Sequence, residues 1–70
     1  MRTYIDIFRH SQRDKDTGGI ESPDNPVIHK HCLVLGYVVY GQDIMAIVVL
    51  ENGLLYGSNI AFTRIAEIKN

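Results

Sequence analysis

Seventy residues and 7.9 kDa make a single domain, residues 1–70. Seven Lys+Arg against eight Asp+Glu leave a formal charge of −1, and 46 % of the residues are hydrophobic. That balance excludes a basic nucleic-acid tail, an acidic disordered chain and a collagen. The lone cysteine, Cys32, excludes an intrachain disulfide and points to a reducing compartment, the cytoplasm.

The opening Met1-Arg2-Thr3-Tyr4-Ile5-Asp6 has no apolar h-region, so no secretory signal is expected. Thr3 to Arg9 mixes β-branched and aromatic residues and predicts a first strand. Strand alternation puts Ile5 and Ile7 on one face and Tyr4, Asp6 and Phe8 on the other.

His10 to Pro26 differs in kind. Its one apolar side chain is Ile20, and it carries Arg13-Asp14-Lys15-Asp16, Gly18-Gly19, Pro23 and Pro26. It reads as a long polar loop, 10–26, mobile and without chemistry of its own.

Val27 to Leu50 is the apolar heart of the chain, with 17 of 24 residues apolar. Its density of Val, Ile and Tyr favours strands over a helix. Gly41-Gln42-Asp43 divides it into strands at 27–40 and 44–50, and Gly36 marks a bulge or bend in the first. The longest strictly apolar run, Ile44–Leu50, is far short of the ~20 residues of a membrane-spanning helix.

Glu51-Asn52-Gly53 follows. Asn-Gly between apolar runs predicts a type I′ hairpin, pairing 44–50 antiparallel with a short strand, Leu54-Leu55-Tyr56. The C-terminus allows two readings. Ser58 or Asn59 caps a helix over 59–69 with Ala61, Ile65 and Ile68 on one face, or Ile60-Ala61-Phe62 forms one 3₁₀ turn before a last strand, Arg64–Ile68. The strand reading gives an all-β, antiparallel domain of four or five strands. The alternative is a four-stranded sheet covered by a C-terminal helix 59–69.

In order of elements, strand, long polar loop, two long strands, Asn-Gly hairpin, short turn and final strand, the chain resembles a small SH3-like barrel. The resemblance covers most of the chain but carries no diagnostic motif. Loop 10–26 lacks the aromatic and acidic pattern of proline-binding SH3 domains, so no binding residues are transferred.

The most reactive-looking stretch is His29-Lys30-His31-Cys32. On a strand, His29 and His31 point to one face about 7 Å apart, and Cys32 to the other. Structural zinc needs four ligands and catalytic zinc three. Here no third or fourth ligand is evident, and no metal site is expected. Cys32, flanked by Leu33, Val34 and Leu35 with His31 turned away, reads as an inert core cysteine rather than a nucleophile. The glycines match no phosphate-binding loop, and the acids form no catalytic pair. No enzymatic activity and no cofactor are expected.

Small barrels also bind single-stranded nucleic acid on stacked aromatics in a positive groove. Tyr4, Phe8, Tyr37, Tyr40, Tyr56 and Phe62 supply rings, and Arg2, Arg9, Arg13, Lys15, Lys30, Arg64 and Lys69 supply charge. A net charge of −1 with no basic run argues against that partner.

The informative anomaly is apolar surplus. A half-exposed strand keeps one polar face. Yet Leu33, Leu35, Tyr37 and Val39 alternate with Val34, Gly36 and Val38, and Ile44, Ala46, Val48 and Leu50 with Met45, Ile47 and Val49. The predicted interaction residues are Leu35, Tyr37, Val39, Met45, Ile47 and Val49, meeting a second copy or a heterologous protein. The expectation is a small non-enzymatic cytoplasmic protein acting by protein–protein contact as a homo-oligomer. Its concrete version is a phage or mobile-element protein that inhibits a host or defence enzyme. The alternative function is a nucleic-acid-binding small β-barrel.

Overall fold

The computed structural model describes residues 1–12 and 21–70. They form one antiparallel sheet of five strands: β1 (Arg2–Phe8), β2 (Val27–Tyr40), β3 (Asp43–Val49), β4 (Leu55–Asn59) and β5 (Thr63–Lys69). The order across the sheet is β4-β3-β2-β1-β5, so β4 and β5 are its edges. No helix among the described residues is long and apolar enough to cross a membrane.

The C-terminal helix over 59–69 is not formed. Asn59 Oδ1 does accept the Ala61 N–H, as a cap should, but only the 3₁₀ turn Ile60–Phe62 follows. Thr63 closes that turn with both its backbone N–H and its hydroxyl donating to the Ile60 carbonyl. From Thr63 the chain is extended and pairs with β1. As a strand it covers the outer edge of β1, which a helix over 59–69 would leave unpaired.

That short turn also bends the sheet. Asn59 ends one edge strand and Thr63 begins the other. Four steps at the 3₁₀ rise cover only about 8 Å, whereas four strand spacings in a flat sheet need about 19 Å. The sheet therefore coils until its edges approach at this end, although the described residues show no hydrogen-bonded pairing of β4 with β5.

Coiling creates the inside. Ile5, Ile7, Cys32, Ala46 and Val48 are buried there, with Val34, Leu50 and Ile60 packed against them. Phe8, also fully buried, leaves β1 on the opposite side to Ile7 by strand alternation, and the Arg64 guanidinium lies 5.0 Å over its ring. The loop after β1 starts and ends as a hairpin would. Arg9 N–H donates to the Pro26 carbonyl, and His10 N–H to Oδ1 of the buried Asn25. The rest of the polar loop, residues 13–20, lies outside the described residues.

The two tight hairpins differ in type. Gly41-Gln42 joins β2 to β3 in two residues, with positive φ at Gly41 alone, which is the first-position requirement of a II′ turn. The Asn52-Gly53 turn is not type I′, because Gly53 (φ 83°) has positive φ and Asn52 does not. Instead Glu51-Asn52-Gly53 forms a three-residue loop. Gly53 N–H donates to the Leu50 carbonyl, Leu50 N–H to the Leu54 carbonyl, and Asn52 Oδ1 accepts the Leu54 N–H. Asn52 acts here through its side chain rather than by adopting positive φ.

Candidate interaction surface

β2 carries irregularities that decide where its side chains go. Val34 pairs with Val48 and Gly36 with Ile47, which leaves Leu35 as an extra residue beside the predicted Gly36. Nearer its start, Ile5 pairs with Cys32 and Ile7 with His29, so Lys30 and His31 together oppose Asp6. His31 sits at φ 51°, the one non-glycine in the left-handed region among the described residues. Its backbone N–H is thereby turned onto Asp6 Oδ1, 2.9 Å away.

This second bulge overturns the expectation that His29 and His31 share a face. His29 stands opposite the core residue Ile7 and meets Glu51 (Nδ1–Oε2 3.2 Å) and the Tyr56 ring. His31 stacks flat on Tyr4, with ring centroids 4.3 Å apart, and reaches Glu67 (Nε2–Oε1 2.7 Å). One histidine thus clips β2 to the β3–β4 loop and the other clips it across β1 to β5. Among the described residues no three His, Cys, Asp or Glu gather to hold a metal ion.

Cys32 is buried in the core and donates weakly to the Lys30 carbonyl. Burial first, then the Glu51 and Asp6 charges, raise its pKa and keep it a thiol. Asp6 is the charged group that the sequence reading passed over. It is nearly buried and accepts from Arg64 (2.8 Å) as well as from His31 N–H. Burial pushes its carboxyl up, but the Arg64 hydrogen bond and charge, with the His31 N–H, outweigh that and hold it below the usual range. Glu51 is also held low, by its own backbone N–H, the Lys30 N–H and His29. No spacing rule links Asp6 to Arg64, because 58 residues separate them and only the β1–β5 pairing makes them neighbours.

Among the described residues the largest group of exposed apolar side chains lies on the β2–β3 hairpin, with smaller ones at Leu54–Tyr56 and at Ile65 and Ile68 of β5. Pairing of β1 with β2 ends at Tyr4–Leu33, so Leu35–Tyr40 and the first part of β3 project as an arm with no strand on the β1 side. The arm is about 20 Å long at the usual strand rise. Val39 and Tyr40 are 79 % and 76 % exposed, and Leu35 and Tyr37 each 57 %. Val38 and Ile44 are exposed as well.

The six predicted contact residues do not form one surface. Residues opposite each other in an antiparallel pair project to one face. Tyr37 opposes the buried Ala46, and Val39 opposes Ile44, so both leave on the core side, beyond the point where the core ends. Met45, Ile47 and Val49 leave on the outer side, opposite Val38, Gly36 and Leu33, and are half-buried. The Leu35 bulge makes this division by switching faces between Leu33 and Tyr37. Tyr40, Val38 and Ile44 belong to the arm although the sequence reading did not choose them. The signal that could have found them was Gly36, once taken to reverse the alternation after it.

No cavity for a small molecule opens among the described residues. No protein-family model, no curated protein and no solved structure matches the chain.

Proposed function

We propose that this chain is a small non-enzymatic binding protein whose five strands take the layout of an SH3-like barrel and whose β2–β3 arm docks another protein. The element order, the 3₁₀ turn before the last strand and the coiling it imposes support that layout. The observation that carries the function is the arm. From Leu35 to Tyr40 it has no charged residue and is exposed on both faces, a longer uncharged apolar run than the other exposed apolar groups, Leu54–Tyr56 and the Ile65 and Ile68 that alternate with charges on β5. Contiguous apolar surface of this kind marks contact with a partner.

The test is affinity capture with two baits, wild type and Val39→Lys, in the cytoplasm of the source cell. Circular dichroism confirms that both are folded. At least one protein, a second copy of the chain included, is retained by wild type and lost by the variant. Identical captured sets from the two baits refute the reading. A captured enzyme that the chain inhibits would establish the narrower role of an enzyme modulator. Retention of nucleic acid alone would move the function to the nucleic-acid-binding class.

A further inference from the structure

We infer that the partner of the arm is a second copy of this chain, joined edge to edge through Gly36–Tyr40 of β2 about a two-fold axis at Val38. The inference rests on the protein–protein reading above and specifies its occupant. Three observations lead to it.

The first is the contrast between edges. β5, an edge along its whole length, is studded with Arg64, Glu67 and Lys69, the charges that discourage strand addition. Leu35–Tyr40 presents an equally open edge, because β3 pairs it on one side only, yet it has no charge and no proline; the other edge strand, β4, is uncharged too, but its apolar run ends at Tyr56. An edge without such protection is a template for pairing with another strand.

The second is area. Given their exposure, the six apolar side chains of the arm (Leu35, Tyr37, Val38, Val39, Tyr40 and Ile44) offer on the order of 500 Å² per copy. Edge-to-edge pairing covers the flanks of Tyr37–Tyr40 and leaves Ile44, on β3, outside the joint, so the interface lies at the small end of specific ones, below about 1,200 Å², where weak association is expected. A net charge of −1 opposes self-association very little.

The third is register. Along a strand, residues alternate in which edge their N–H and C=O face. Two identical antiparallel strands can therefore bond only when the symmetry axis passes through a residue, not between two residues. An axis at Tyr37 sets the bulged Leu35 against Val39, where the ladder is irregular. An axis at Val38 uses only the regular stretch. It places Tyr37 beside Val39 of the other copy, Tyr40 over Gly36, and Val38 against itself. Aromatic beside β-branched and aromatic over glycine are favourable cross-strand neighbours.

The experiment has two parts, read by light scattering and by non-reducing electrophoresis. Wild type has the mass of two chains in the micromolar range. Y37K and V39E each weaken association roughly tenfold or more by burying an unpaired charge. The double variant Y37K/V39E restores the dimer, because each lysine then meets a glutamate of the other copy. Independently, V38C cross-links under mild oxidation, since directly opposed strand residues lie about 4.5–5.5 Å apart, within disulfide range. Y40C does not, and the buried Cys32 takes no part. A wild-type monomer, failure of the double variant to recover, or equal cross-linking of V38C and Y40C overturns the inference. If the chain is monomeric yet the wild-type and V39K baits still differ in what they capture, the docking function stands with a heterologous partner. If the baits do not differ, both readings fall.

Discussion

Asp6 shows how a residue without a motif organises its surroundings. Its carboxylate holds the His31 N–H at the bulge and the Arg64 guanidinium that lies over Phe8. Asp6→Asn keeps the shape but loses the charge, and should cost about 1–2 kcal/mol, since a charge-assisted hydrogen bond is worth ~1.5–3 kcal/mol and Arg64 is half in water. The pH dependence follows from the direction of the shift. A carboxyl held low in the folded state contributes its full stability above the ordinary carboxylate range and loses it progressively as pH falls from that range through the lowered folded value. Urea denaturation at neutral pH and near pH 3.5 should show a smaller acid loss for D6N than for wild type. Identical losses would remove Asp6 from the account. His31 offers a second comparison. His31→Ala loses the Tyr4 stack and the Glu67 bond while keeping a left-handed backbone that costs about 1–2 kcal/mol in any residue with a Cβ. His31→Gly loses the same contacts but not that penalty, so H31G should melt no lower than H31A. A clearly lower melting temperature for H31G would show that the bulge is not strained.

At the scale of elements, the turns and bulges matter more than strand propensity. The β3–β4 loop depends on Gly53 at φ 83°, where open space surrounds the α-carbon and only the backbone conformation resists a side chain. Gly53→Val should therefore destabilise by roughly 1–2 kcal/mol, or several degrees in Tm. Gly53→Asn should lose much less, because asparagine tolerates that region. Equal melting of both variants and wild type would refute the three-residue loop. The bulges act differently. Each inserts one residue into β2, and each insertion reverses which residues face the core from there on. The reversal at Lys30–His31 separates the two histidines, and the reversal at Leu35 sends Tyr37 and Val39 to the core side of an arm that has no core beneath it.

The whole molecule rests on few buried side chains. A core of this size gives only about 3–5 kcal/mol of net stability. Ile7→Ala, which empties a position 1 % exposed near the end of β1, costs about 2–4 kcal/mol and should leave only about 1 kcal/mol, with a greatly lowered melting temperature. A cooperative melt near the wild-type temperature would show that stability comes from elsewhere. Pairing of two arms would supply that elsewhere by mass action, and Tm would then rise with protein concentration. Acid acts globally in the same sense as at Asp6. Glu51, held low by backbone N–H groups and His29, adds to the stability lost below the ordinary carboxylate range.

What the sequence determined by itself was local. Dense Val, Ile and Tyr set the strands, Gly41 and Asn52-Gly53 placed the two hairpins, and Gly36 located a bulge, because backbone sterics at a few adjacent residues decide each of these. The buried Cys32 was legible for a similar reason, since its neighbours are apolar. The tertiary structure decided what depends on partners distant in the chain. Strand pairing with β1 chose extended backbone over a helix for residues 63–69. Capture of the His31 N–H by Asp6 placed a bulge that no propensity marks, and the pairing of β5 with β1 brought Arg64 to Asp6. The faces of the interaction surface belong to this second group. Side-chain alternation is read from the sequence by counting in twos, and one inserted residue, visible only against the opposite strand, inverts the count for every residue that follows.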